Sequence, residues 1–359
     1  MKKIVYYITA HGYGHGARSC DILNAIRTAN PNVPIIVKTD LPADFMAGRL
    51  LPNIEVRPGA FDLGLIQKDS IHVDLEASLE TITKLYERER ELIDQEKQFM
   101  AAENIGVVVA DIPAIPLAAA QELEIPNIGC SNFGWNWIYS EFVEHDSRWQ
   151  FFVDKFTEVY RKTDLLLRQP FSESMDVFPT MIDLPLLAKP GTERRKRIAE
   201  ATGADPDKPW VLLSFTTLDL DTRAIEKISH IIMYEIFTVE PLNWQVQGIH
   251  SLSRNLASFT DIMASVDYVI TKPGFGIVSE CIANNKPIIY SDRKNFLEYP
   301  VLVDAIEQYC RNAFIPNAEL YAGDLERALT DAKNAPRPKQ EIPRGGAEKA
   351  AKIILQFRK

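Results

Sequence analysis

No apolar run in the sequence reaches the roughly 18–20 residues that a membrane span requires. The opening, Met1-Lys2-Lys3-Ile4-Val5-Tyr6-Tyr7, lacks both the apolar length and the small-residue cleavage site of a signal peptide. Cysteine is scarce: Cys20, Cys130, Cys281 and Cys310 stand far apart with no C-x-x-C pair, and read as reduced, cytoplasmic thiols. The histidines outside one loop, His72, His145, His230 and His250, show no ligand spacing, so no zinc site is expected. Positive charge is in deficit, with 40 Lys+Arg against 49 Asp+Glu and a net charge of -9. That argues against a general nucleic-acid binder, which needs a basic surface to displace counterions. There is no short-period repeat and no low-complexity segment. What remains is a 359-residue chain, 46% hydrophobic and 25% charged, long enough for two separate cores.

The first half alternates β-rich apolar runs with helical patterns. Residues 3–9, 33–38, 107–110, 127–130 and 165–167 read as strands. Residues 17–29 and 114–123 read as helices, and an amphipathic stretch carries Leu75, Leu79, Ile82, Leu85, Leu92 and Phe99. Between 169 and 191, Pro170, Pro179, Pro185 and Pro190 break the rhythm in the manner of a linker. The pattern then restarts, with strands at 210–215, 268–271 and 287–290, helices at 193–202 and 277–284, and a closing helix at 347–357. Alternation of this kind argues for parallel βαβ units in two α/β halves facing across a cleft. The expected domains are 1–170, a linker 171–190, a second domain 191–344, and a C-terminal helix 345–359 that crosses back to the first.

Two glycine-containing turns carry the chemistry. The first is Thr9-Ala10-His11-Gly12-Tyr13-Gly14-His15-Gly16-Ala17-Arg18, between a strand and a helix. Glycines let the backbone take φ > 0 and approach a ligand, and histidine has the pKa for proton transfer near neutrality. The spacing of Gly12, Gly14 and Gly16 is neither the dinucleotide G-x-G-x-x-G nor a P-loop. The alternative is a tight turn whose histidines bond only locally. The second turn is Thr271-Lys272-Pro273-Gly274-Phe275-Gly276-Ile277-Val278-Ser279-Glu280. Here a helix N-terminus offers unpaired N–H groups to phosphate. Glu280 is placed to accept bonds from ribose hydroxyls, or else merely complements the helix. Lys272 is a phosphate contact or a solvated cation.

These turns, in this order, resemble those of GT-B glycosyltransferases. The first is similar to the glycine–histidine loop of the N-acetylglucosaminyltransferase that completes the peptidoglycan lipid precursor. The likeness is closer to the glycosyltransferase-like N-terminal region of L-arabinokinases and their bacterial relatives. It is carried by Tyr6-Tyr7-Ile8-Thr9-Ala10-His11-Gly12-Tyr13-Gly14-His15 with Arg18, by Ser131-Asn132-Phe133-Gly134-Trp135-Asn136-Trp137-Ile138-Tyr139, by the second turn, and by Asp292-Arg293-Lys294-Asn295-Phe296 with Glu298-Tyr299-Pro300. The resemblance implies a GT-B fold of two Rossmann-like doubly wound domains, and a metal-independent transfer of sugar from a nucleoside diphosphate sugar, UDP-sugar foremost, to a hydroxyl acceptor with inversion. No cofactor is implied beyond that co-substrate.

In that scheme His15 is the acceptor base, with His11 as the alternative. Glu280 holds the ribose, while Gly274, Gly276, Ile277, Val278 and Ser279 receive the diphosphate with Lys272. Asn295 and Glu298 contact donor sugar hydroxyls. Gly12, Gly14, Arg18, Asp111, Asn132 and Trp135 form the acceptor side. GT-B enzymes often carry a glycine-rich turn after the first strand of the second domain; here Ser214-Phe215-Thr216-Thr217-Leu218-Asp219 has none, so Thr216 or Thr217 would replace it. The kinase domain of arabinokinases does not follow within these residues, so sugar-kinase activity is not expected.

Other features read more plainly. Asp219-Leu220-Asp221 spells D-x-D, which belongs to a different, single-domain transferase architecture. Trp135, Trp137, Tyr139 and Trp149 favour packing over sugar stacking. Arg194-Arg195-Lys196-Arg197 reads as a solvated face, or as a peripheral membrane contact if the acceptor is lipid-linked. Residues 87–96 read as an exposed, charged helix face. Two rival functions share the fold: a nucleotide-sugar 2-epimerase with Asp111 as a proton carrier, and a non-catalytic sugar-nucleotide-binding module.

Overall fold

The computed structural model of the chain describes residues 2–66, 73–253, 255–293 and 296–358. They form two compact units, one built from 2–66, 73–187 and 343–358, the other from 188–342.

The first unit holds a seven-stranded sheet. Its strands are β1 (Lys3–Ile8), β2 (Ile35–Lys38), β3 (Glu55–Arg57), β4 (Ile105–Asp111), β5 (Asn127–Ser131), β6 (Leu165–Arg168) and β7 (Met181–Asp183). The spatial order is β3-β2-β1-β4-β5-β6-β7, and every pairing is parallel. The order reverses between β1 and β4, where Ile8 lies beside Asp111. Such a reversal leaves a crevice at the carboxyl ends of the strands, the usual ligand position in open α/β sheets.

β1 and β4 are almost wholly buried, which explains their unbroken apolar runs. Ile4, Tyr6 and Ile8 join a core with Ile22, Leu23 and Ile26 of helix Tyr13–Ala29. The helix Gly346–Phe357 packs on that same helix, burying Ala347, Ala350, Ala351 and Ile354, the spacing of one helical face.

Residues 171–190, read as a linker, contain β7, which pairs with β6 and extends the first sheet. The amphipathic stretch after 75 divides into helices Leu75–Tyr86 and Glu89–Ala102. Its charged face is not all solvated. Glu96 is buried, takes an ion pair from Lys38 at 2.5 Å and accepts from Tyr7 Oη at 2.6 Å. A buried carboxylate of this kind survives only because both oxygens are paired.

The second unit holds a six-stranded parallel sheet of β8 (Trp210–Ser214), β9 (Glu235–Val239), β10 (Ile249–Leu252), β11 (Tyr268–Thr271), β12 (Ile288–Ser291) and β13 (Asn312–Ile315). Its order is β10-β9-β8-β11-β12-β13, with the reversal between β8 and β11. Both expected glycine turns therefore leave a strand that borders a reversal point, β1 in one unit and β11 in the other. The four cysteines are free and buried. Among the described residues no helix is long and apolar enough to cross a membrane.

Candidate functional site

The first turn is shorter than its sequence suggests. The helix starts at Tyr13 rather than Ala17, so Gly14, His15 and Gly16 belong to its first turn. Gly12 caps it at φ 86°, a left-handed value that glycine adopts without strain. Gly14 is exposed and meets nothing, while Gly16 has a packing role: a Cβ there would stand 2.6 Å from side-chain atoms of Leu41 and Phe45.

Helical spacing then aims His15, Arg18 and Ser19 at one target, the carboxylate of Asp111 at the end of β4. His15 Nδ1 is 2.9 Å from Asp111 Oδ1. Arg18 reaches both oxygens, with Nη2 2.6 Å from Oδ1 and Nε 2.8 Å from Oδ2. Ser19 Oγ donates to Oδ2 at 3.1 Å. Arg18 also donates to Asn132 Oδ1 and, at 3.4 Å, to Ser131 Oγ, while Asn132 Nδ2 donates to the Pro170 carbonyl. Residues from β1's turn, β4 and β5 thus converge at the reversal point. Ser19 and Ser131 were not singled out from the sequence. Ser19 could have been, since it lies one helical turn beyond His15; Ser131 carries no such signal.

Asp111 is fully buried. Burial alone would raise its pKa, but the Arg18 guanidinium, then His15, outweigh it and hold the carboxyl well below the usual range. His15 is pushed below its ordinary value, first by burial and then by the Arg18 charge, against the pull of Asp111. The imidazole is therefore neutral near pH 7, the state a general base requires.

His11 stands apart from this dyad. Its ring meets the Trp135 edge at 5.8 Å between centroids and lies against Gly64, where no Cβ would fit. Trp135 is 1% exposed, stacked on Tyr139 within an aromatic core that includes Trp149 and Phe156. Its burial supports the packing role. Trp135 Nε1 donates at 2.8 Å to Asp62, an acid that nothing in the sequence marked. Burial pushes the Asp62 carboxyl up to about 7, although its bonds from Trp135 and Thr9 pull the other way.

In the second unit, Gly274 caps helix Phe275–Ala283 in an extended conformation, so no positive φ is involved. Its lack of a side chain instead leaves the first turn open, with the nearest atom to a built Cβ at 3.9 Å. Gly276, Ile277 and Ser279 are half-buried in that first stretch, and Val278 points into the core. Glu280, the sixth helical residue, accepts from Thr260 Oγ1 at 3.2 Å. Thr216 and Thr217 are exposed just beyond β8, across the reversal from Lys272. Glu298 is buried at the start of helix Glu298–Tyr309. Asn295 lies outside the described residues.

Two features resolve as structural. Asp221 caps helix Thr222–Ser229 by accepting from the Ala224 amide at 2.8 Å, so the D-x-D is engaged as a cap. Arg195 bonds Asp267 at 3.0 Å and stacks on Trp210, so the basic cluster is not wholly solvated. Among the described residues no group of three or more His, Cys, Asp or Glu could hold a metal ion.

No family model matches the chain. The L-arabinokinase of Arabidopsis thaliana is 27% identical over a 373-residue alignment that covers 98% of this chain and 34% of that protein, so the chain spans about a third of its relative's length. Among solved structures, a glycotransferase of kitacinnamycin superposes with a TM-score of 0.63 at 13% identity, covering 99% of each chain. A ugt transferase from Siraitia grosvenorii in complex with UDP gives 0.58 at 10% identity, covering 100% of each. A UDP-glucosyltransferase from Polygonum tinctorium capable of glucosylating indoxyl gives 0.60 at 12%, covering 100% of this chain and 93% of that one. The chain thus has the GT-B glycosyltransferase fold and is a distant homologue of L-arabinokinase.

Proposed function

We propose that this chain transfers a sugar from a nucleoside diphosphate sugar, UDP-sugar foremost, to a hydroxyl acceptor, without a metal ion and with inversion. The observation that carries the reading is the buried His15–Asp111 pair at the reversal point of the first sheet. Two groups compete for His15 Nδ1, the Asp111 carboxylate at 2.9 Å and the Arg18 Nη2 donor at 2.7 Å. In this reading Nδ1 keeps its proton and donates it to Asp111, while Arg18 spends its N–H groups on the same carboxylate. Nε2 is then the basic atom. It takes the acceptor hydroxyl proton as that oxygen bonds to C1 of the sugar. The C1–O bond to the diphosphate breaks with its electron pair, and one displacement inverts the carbon. Negative charge grows on the leaving diphosphate, which the N-terminus of helix Phe275–Ala283 receives. Glu280 holds the ribose, Gly276, Ile277 and Ser279 lie at the diphosphate, and Lys272 with Thr216 or Thr217 completes the phosphate contacts. The UDP in the Siraitia grosvenorii structure supports a uridine donor.

Calorimetry with UDP, GDP, dTDP, ADP and CDP tests the donor class, and a clear preference for UDP is the expected result. His15→Ala should lower turnover by about 10²–10⁴-fold, the usual worth of a general base. Turnover near the wild-type rate would end the base assignment.

A further inference from the structure

Arg293 follows β12 and lines a small pocket at the carboxyl edge of the second sheet together with Lys272, Asn317, Tyr321, Phe215 and one acid, Asp292. A guanidinium carries five N–H donors and no acceptor. Among the described residues, that of Arg293 makes one hydrogen bond, from Nη1 to the Pro273 carbonyl at a long 3.5 Å, and no ion pair. Its Cζ lies over the Phe296 ring, 3.2 Å from the ring centre. Stacking orients the fork but supplies no acceptor. Glu298 acts on it only through space, and burial dominates, pushing the Arg293 pKa down to about 10. The same pocket holds a second unsatisfied group: the Asn317 side-chain oxygen is buried without a hydrogen-bond partner. Turned by 180°, that amide offers N–H donors instead.

A half-buried cation with idle donors is costly unless an anion completes it. The fork matches phosphate oxygens in a bidentate manner. Its bond to Pro273 sets it beside the turn that feeds helix Phe275–Ala283. We propose that Arg293 is a cationic arm of the diphosphate site, reaching the donor phosphates beside the turn before helix Phe275–Ala283, with Asn317 as a neutral donor. This rests on the donor reading above, and it adds a residue which that reading did not contain.

The test is calorimetry on the full chain with inorganic pyrophosphate and UDP, alongside thermal melting without ligand. Arg293→Met should weaken both ligands at least tenfold, yet melt no lower than wild type, because it removes a largely buried charge whose donors are mostly idle among the described residues and keeps an apolar stem on Phe296. Glu280→Gln should weaken UDP and leave pyrophosphate binding unchanged. Unaltered pyrophosphate affinity in R293M overturns the assignment while the donor reading stands. Lost binding with a clearly lower melting temperature makes Arg293 a folding residue and also overturns it. A wild-type chain that binds neither probe sinks the donor reading, and this assignment with it.

Discussion

At the residue scale, His15 is governed by two neighbours of opposite effect. The Arg18 guanidinium disfavours an imidazolium and Asp111 favours it, with burial adding to the first. Arg18 should therefore tune the pH dependence of the base. Arg18→Gln removes the repelling charge, so the acid limb of kcat/KM should move to higher pH. A limb that stays in place would reduce Arg18 to a structural bond. Asp62 supplies a second pH effect. Its folded pKa of about 7 lies above that of an unfolded Asp, so between about pH 4 and 7 the folded chain binds more protons than the unfolded one. The stability this site contributes is present below about pH 4 and is lost as the pH rises through about 7. Asp62→Asn, which can still accept from Trp135, should remove roughly 2–4 kcal/mol of that pH-dependent loss. Urea unfolding of both proteins from pH 4 to 8 measures the difference.

At the scale of elements, the strands that went unread from sequence are mostly sheet edges. β3 and β7 border the first sheet, β10 and β13 the second, and β3 and β7 are three residues each with no fully buried position. Short, half-solvated strands carry no apolar alternation to recognise. The central strands β1, β4, β8, β11 and β12 were legible because burial on both faces demands unbroken apolar runs. The early start of helix Tyr13–Ala29 has a different cause. Two glycines lower local helix propensity, while the packing of Gly16 against Leu41 and Phe45 needs that turn to be helical and bare. The last helix depends on a similar fit. A Cβ at Gly346 would stand 2.1 Å from the Pro185 carbonyl oxygen, and the Gly346 amide bonds the Leu186 carbonyl at 3.1 Å. Gly346→Ala should cost about 1–3 kcal/mol, the range for overpacking a tight contact, and denaturant unfolding reads it directly.

At the scale of the whole molecule, each unit has its own parallel sheet, core and reversal point. Under the proposed function a nucleotide binds the second unit's turn, so UDP alone should slow amide exchange across residues 271–283. At a hundredfold excess over its Kd it should stabilise the folded state by about 2.7 kcal/mol; protection confined to the first unit would contradict the donor assignment. The sequence by itself determined two α/β halves, the strand–turn–helix placement of His15 and Glu280, and the acidic balance of the chain. These follow from periodicity and turn chemistry, which are local properties. Only the tertiary structure decided which residues meet. Asp111 lies 96 residues from His15, and Asn132 lies 114 from Arg18. They join because β1 pairs with β4 and β4 with β5, and strand order is a long-range choice that no local pattern encodes. The idle donors of Arg293 among the described residues are of the same kind, since a missing partner becomes visible only against the folded surroundings.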